Sequence, residues 1–119
     1  MTTKDFMQHF DLHDGSLENI EFDRDRHTLD LTISLPHWKL TDLREEEAPE
    51  TVGMDGPETA VLHFRGASLL SGYPGRCPHE TILQAWRQAG RMSILLCDEI
   101  SGKTHRLEFS ADTVELTAA

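Results

Sequence analysis

The most regular pattern in the chain is an alternation of apolar and polar residues in segment 29–35. The apolar positions are Leu29, Leu31, Ile33 and Leu35. A period of two is typical of a strand with one buried face. Ile20 and Phe22 alternate in the same way before the polar segment 24–27, which has the length of a hairpin turn. The pattern therefore predicts a β-hairpin over residues 17–35.

Further strand patterns occur in the second half of the chain. Segment 60–70 places Leu62 and Phe64 on one side and His63 and Arg65 on the other. Segment 92–97 is almost wholly apolar, which is typical of a central strand buried on both faces. Two alternating segments end the chain, 106–109 and 113–117. Short connections favour antiparallel neighbours, so a three-stranded meander is predicted over residues 92–117.

Two segments show helical spacing. Residues 3–10 place Phe6, Met7 and Phe10 on one face. Residues 78–89 place four apolar residues at i, i+3, i+4 and i+7, and Gly90 follows as a helix end. These four are Ile82, Ala85, Trp86 and Ala89. The predicted fold is α+β: a mostly antiparallel sheet of about six strands, one packed helix (78–89) and a short N-terminal helix, in a single domain (1–119).

Charge narrows the classes of partner. The 119 residues include 21 Asp and Glu but only 11 Lys and Arg, which gives a formal net charge of −10. An acidic surface repels phosphate backbones and anionic membranes, so we expect neither nucleic acid nor a membrane as partner. No apolar run approaches the ~20 residues of a membrane span, and the first residues form no apolar leader. A cytoplasmic location is expected, with Cys77 and Cys97 both reduced.

Acidic residues cluster in segment 37–58, which Pro and Gly interrupt. This segment is predicted to be one long acidic loop, and loops of this length are usually functional or disordered. Trp38 supplies an aromatic anchor, and such anchors often carry binding energy. The candidate binding residues are Trp38, Asp42, Glu45, Glu46 and Glu47. The alternative is a solvated loop with Trp38 tucked into the edge of the core.

Candidate chemistry is sparse and incomplete. His9 and His13 are four residues apart, a spacing that suits two metal ligands on a helix, and Asp14 beside His13 suggests a general base. Asp11 or Asp14 is a candidate third ligand, but no complete ligand set is visible, and no nucleophile is tied to this pair. The alternative is structural: Asp14 caps a turn in which Gly15 supplies a positive φ. No cofactor is expected, because no phosphate-binding glycine motif occurs.

The two cysteines receive different interpretations. Cys77 precedes Pro78 at the start of the predicted second helix, a position that lowers the pKa of a thiol, but no oriented base is apparent. Structurally, the same position simply initiates the helix. Cys97 ends the most apolar segment and is predicted to be a core residue.

Two segments resemble small bacterial proteins of immunity-protein type. The first runs Leu12-His13-Asp14-Gly15-Ser16-Leu17 with Ile20 and leads into the hairpin, and the second is Leu62-His63-Phe64-Arg65-Gly66. The resemblance implies an α+β or β-rich fold and a role in binding and neutralising a toxin, and it supplies no catalytic residues to carry over.

We therefore expect a non-enzymatic cytosolic binding protein that neutralises a basic toxin through an acidic surface. One alternative is a small metal-dependent or hydrolytic enzyme that uses His9, His13 and Asp14. The other is a structural domain that oligomerises through strand edges.

Overall fold

The protein folds as one short helix and an antiparallel sheet in a computed structural model, which describes residues 1–35, 58–71 and 80–118. In chain order the elements are α1 (Thr3–His9), β1 (Ser16–Asp23), β2 (Thr28–Leu35), β3 (Glu58–Arg65), β4 (Ser68–Ser71), β5 (Glu80–Gln88), β6 (Arg91–Asp98), β7 (Thr104–Ser110) and β8 (Thr113–Ala118). The mostly antiparallel β-sheet predicted from the sequence is confirmed. The described residues form eight strands, more than the six expected.

Helix α1 confirms the prediction for the first ten residues. The Thr2 side chain caps it by accepting a hydrogen bond from the Asp5 amide at 3.1 Å. Phe6 is completely buried and its ring stacks on Phe10, with centroids 4.9 Å apart. A seven-residue helix is not stable alone in water, so this packing holds it in place.

The predicted hairpin is also confirmed, as β1 and β2. Its turn is organised by Asp23, whose Oδ1 accepts hydrogen bonds from the amides of Asp25 and Arg26 at 3.0 and 3.2 Å. His27 closes the turn with φ 52°. Leu29 through Leu35 alternate fully buried and half-buried, as the period of two requires.

The sheet has the strand order β4-β7-β6-β5-β1-β2-β3-β8. Only two residue pairs join β1 to β5, so the sheet divides into layer A (β1, β2, β3, β8) and layer B (β4, β5, β6, β7). Four strands lie between Phe64 of β3 and Phe109 of β7 in this order, yet their ring centroids are 4.8 Å apart. The sheet therefore folds over so that its inner faces meet, and α1 packs against β5 and β8.

The core lies between these inner faces. Twenty buried apolar side chains of the described residues belong to one cluster, with α1 contributing Phe6. The residues that alternate with them, most of which are polar, form the two outer faces.

The helix predicted over 78–89 is wrong, because residues 80–88 form strand β5. A β-bulge between Ile82 and Gln84 breaks the period of two, so the apolar residues fall at a spacing that imitates a helix. Ala89 and Gly90 both have positive φ, 52° and 77°, and form a two-residue hairpin turn to β6. Gly90 thus ends a strand, and Trp86 faces outward from layer B opposite Ser93.

The predicted meander is right for β6 and β7 but wrong for β8, which pairs with β3. Two-residue hairpins need positive φ, which Ala111 and Asp112 lack. The chain therefore crosses from layer B to layer A at this connection. It crosses in the opposite direction at Gly66, which splits the single strand predicted over 60–70 into β3 and β4. Gly66 has φ 65°, and a Cβ there would overlap the Asp112 carboxylate.

Candidate functional site

His13 and Asp14 do approach each other, but on an open surface. His13 Nδ1 lies 3.3 Å from Asp14 Oδ2, with side chains 57% and 72% exposed. His9 is half-buried in the last turn of α1. Among residues 1–35, 58–71 and 80–118, no three His, Cys, Asp or Glu side chains are grouped to hold a metal ion. The described structure therefore does not bring His9, His13 and an aspartate together as a metal site.

The turn chemistry predicted for this segment is corrected in two places. Asp11, and not Asp14, accepts the turn hydrogen bond, from the His13 amide at 3.0 Å. Asp14, and not Gly15, has the positive φ, 66°. A glycine is needed at position 15 for another reason, because a Cβ there would overlap the Leu35 side chain.

The predicted acidic binding residues lie outside the described part of the chain. Trp38, Asp42, Glu45, Glu46 and Glu47 belong to segment 36–57, and Cys77 to segment 72–79. Their roles stay predictions. Cys97 was expected in the core, but it is half-buried on the outer face of layer B as a free thiol.

The outer face of layer A carries a chain of three side chains that the sequence did not single out. His63 Nδ1 lies 2.9 Å from Asp30 Oδ1, and His63 Nε2 lies 2.8 Å from Thr117 Oγ1. Adjacent strands β2, β3 and β8 position the three, with Asp30 directly opposite His63 in the register. The side chains of His63 and Asp30 are 34% and 37% exposed. We call Asp30, His63 and Thr117 the relay.

The hydrogen bonds of the relay fix the imidazole tautomer. A carboxylate only accepts hydrogen bonds, so Nδ1 must carry the proton that it donates to Asp30. Nε2 of a neutral imidazole then has a lone pair, which accepts the Thr117 hydroxyl proton. The result is a hydroxyl directed at a base that is itself oriented by a carboxylate, the general arrangement of an activated nucleophile.

A second cross-strand pair follows the same diagonal. His63 reaches Thr117 two positions beyond its register partner Glu115, and Arg65 reaches Glu115 two positions beyond its partner Thr113. Arg65 Nη2 lies 3.5 Å from Glu115 Oε2. The common offset matches the reach of long side chains to diagonal neighbours on a twisted sheet.

A groove of about 750 Å³ opens beside the relay. Asp30, His63 and Arg65 border it on the sheet side. The β1–β2 hairpin lines the rest, largely with the charged residues Glu21, Asp23, Arg24, Asp25 and Arg26. The imidazole therefore faces open space on the side away from Thr117.

A third histidine–carboxylate pair lies at the end of layer B. His105 Nε2 forms a short hydrogen bond with Glu80 Oε2, and Glu80 is buried. Nearby, the Ile100 amide donates to Asp98 Oδ1 at 2.9 Å and lowers the pKa of that carboxyl group. The second contact organises the β6–β7 turn, where the Ser101 side chain also hydrogen-bonds the Asp98 carboxylate.

The outer face of layer B has a different character. Trp86 and Leu95 are half-buried diagonal neighbours on β5 and β6, and Leu83, the extra residue of the bulge, is 38% exposed. We call these three residues the layer B strip. Glu108 lies beside it, flanked by Arg91 and Arg106 at 3.5 and 3.7 Å. Among the described strands, this face combines the largest aromatic residue with two arginines.

Comparisons with protein families, with curated proteins and with solved structures produced no match to this chain. Within the described residues, no helix has the length and apolar character needed to cross a membrane. The site must therefore be interpreted from its own geometry.

Sequence reasoning missed both the relay and the layer B strip. His63 and Asp30 were visible as polar positions of alternating strands, but Thr117 becomes their neighbour only because β8 pairs with β3. Trp86 was assigned to the core through the wrong helix. A better signal for β5 was available in Ala89-Gly90, two residues between two strand-like runs.

Proposed function

We propose that this chain is a cytosolic protein-binding domain whose partner is a basic protein, and that it acts as an immunity protein that neutralises a toxin. The observation that carries the proposal is the layer B strip with its flanking arginines. Trp and Arg are the residue types most enriched among binding hot spots, and the exposed Leu83 beside them adds apolar contact area. The strip occupies a rigid sheet face instead of a loop, so little ordering free energy is lost on binding.

Charge supports a basic partner. The formal net charge of −10 attracts a basic protein over long distances and accelerates encounter. At contact, Glu108 already balances part of the positive charge of Arg91 and Arg106. The strip is therefore suited to short-range apolar contact, while the acidic chain as a whole provides the attraction. The predicted acidic residues Glu45, Glu46 and Glu47 would add to that attraction.

The immunity role is the specific form of this proposal. It is supported by the resemblance of the His13-Asp14 entry and of segment 62–66 to immunity-type proteins. The enzyme built on His9, His13 and Asp14 gains no such support, because the described structure adds no further group to them.

The test is co-expression with the product of the adjacent reading frame, followed by isothermal titration calorimetry. We expect a stable complex, and Trp86→Ala should raise its Kd by about 30-fold, the effect of losing a hot spot of about 2 kcal/mol. Val61→Ala is the matched control. Val61 is also half-buried on an outer strand face, but in layer A, and its loss should leave the Kd unchanged.

Two results would overturn the proposal. The first is the absence of any complex with the neighbouring product, which removes the immunity role. The second is a complex that Trp86→Ala and Val61→Ala weaken equally, which removes the layer B strip. A triple Glu45→Gln, Glu46→Gln, Glu47→Gln variant separates attraction from contact, because it should slow association and reduce its salt dependence without changing dissociation.

One observation supports the oligomerising alternative: part of the β8 edge has backbone amides that point outward without an acceptor among the described residues. The α1 end of the β8 edge is covered, since Val114 exchanges backbone hydrogen bonds with Met1. Alternate residues of β8 direct their backbone groups away from β3, so the Leu116 and Ala118 amides also point outward. No described residue accepts a hydrogen bond from these two amides. Light scattering at increasing protein concentration tests pairing through this edge.

A further inference from the structure

We propose that the relay is an acyl-transfer site that cleaves carboxylic esters, with Thr117 as nucleophile and His63 as general base. Asp30 is the positioning residue. The site lies on the outer face of layer A, so it is separate from the layer B strip and from the binding function proposed above.

Two distances and one tautomer carry the inference. The Thr117 hydroxyl is 2.8 Å from His63 Nε2, within the reach required for direct proton transfer. The 2.9 Å hydrogen bond from Nδ1 to Asp30 orients the ring so that Nε2 faces the Thr117 hydroxyl. A hydroxyl, an imidazole and a carboxylate in this order are recognised as a nucleophilic relay by geometry and not by sequence position.

The position of Thr117 on an edge strand supplies the remaining element. Thr113, Glu115 and Thr117 direct their backbone groups to β3, so the amides of Leu116 and Ala118 point away from the sheet. These two N–H groups flank Thr117 and have no acceptor among the described residues. They can donate to the oxyanion that forms when Thr117 attacks a carbonyl, and the amide after the nucleophile serves this purpose in other hydrolases.

The reaction balances with water as the only co-reactant. Thr117 Oγ bonds to the ester carbonyl carbon while its proton moves to His63 Nε2. The alkoxide leaves as the carbon–oxygen bond breaks, and it takes that proton. Water then attacks the acyl-Thr117, passes a proton through Nε2 back to Oγ, and releases the carboxylic acid.

The experiment is hydrolysis of p-nitrophenyl acetate by the full chain, followed by the release of p-nitrophenol. We expect Thr117→Ala and His63→Ala each to lower the protein-dependent rate by about 100-fold, the usual contribution of a positioned base. Thr117→Ser should retain activity because it keeps the hydroxyl. Asp30→Asn should lower kcat with little change in KM, because it disturbs the tautomer and not substrate binding. Peptide mass spectrometry should locate the acetyl group on Thr117.

Two matched controls separate the relay from general reactivity. His13→Ala removes another imidazole near a carboxylate, and Thr32→Ala removes another threonine of the same outer face. Neither should change the rate. The proposal is overturned if His13→Ala costs as much as His63→Ala, if the acetyl group is found on a lysine, or if the protein is no faster than buffer. Unchanged circular dichroism of each variant confirms that the fold is retained.

Discussion

Mutating the contact between Phe64 and Phe109 tests most directly whether the inner faces of layers A and B meet. Both side chains are completely buried, and their rings meet edge to face at 4.8 Å from strands on opposite layers. Replacing either by leucine removes aromatic atoms but keeps an apolar side chain, which costs about 1–2 kcal/mol. A domain of this length has about 6–18 kcal/mol of stability, so both single variants and the double variant should remain folded.

The informative quantity is the coupling between the two changes. Aromatic pairs of this geometry contribute about 0.5–1.5 kcal/mol beyond burial, so the double variant Phe64→Leu, Phe109→Leu should lose less than the sum of the singles by that amount. Urea unfolding followed by far-UV circular dichroism gives each free energy of unfolding, and the m values should agree.

A control cycle uses the same strand but its other face. Val61 lies on the outer face of layer A, so Val61→Ala combined with Phe109→Leu should be additive within about 0.5 kcal/mol. Additivity of the Phe64 and Phe109 changes would refute the reasoning, because it would mean that the inner faces of the two layers do not meet at these rings.

Three further predictions concern turns. Gly66→Ala should destabilise the protein by more than the ~1–2 kcal/mol expected for Gly90→Ala. Both glycines have positive φ, but only position 66 lacks room for a Cβ. Thermal unfolding of the two variants measures the difference. Ala89→Asn should raise the melting temperature by stabilising a type I′ turn, and a decrease would instead favour the helix once predicted there. The Ile100 amide lowers the pKa of Asp98 below its ordinary value of 3.8, so this carboxylate contributes its full stabilisation above pH 3.8 and loses it as pH falls through the lower folded value. NMR titration of the Asp98 side chain should show a midpoint below 3.8, and a midpoint at or above it would contradict this assignment.

Local patterns predicted the elements whose period is unbroken. The hairpin of β1 and β2 follows from strict alternation, and α1 follows from an apolar face with an Asp in its first turn. The prediction failed at β5, where one extra residue in the bulge, Leu83, shifts the apolar positions that follow. A single insertion of this kind converts the period of a strand into a spacing that resembles a helix.

Topology was the other part that local patterns could not supply. Ala89-Gly90 and Ala111-Asp112 are both two-residue connections, but only the first adopts the positive φ that a tight hairpin requires. The second sends β8 to the other layer, beside β3. The relay depends on this crossing, because Thr117 and His63 are brought together by strand order and not by any spacing along the chain.

The pairing of β8 with β3 also has a consequence for synthesis on the ribosome. Layer A contains the hairpin and β3, but its last strand follows all of layer B in the chain. Roughly 50 residues separate these partners along the chain, and the ribosome adds about 5–20 residues per second. The β3 edge therefore stays open on the nascent chain for several seconds. An open edge of alternating apolar residues is a template for misassembly between neighbouring nascent chains. Residues 60–65 are therefore the segment for which a ribosome-associated chaperone would matter most.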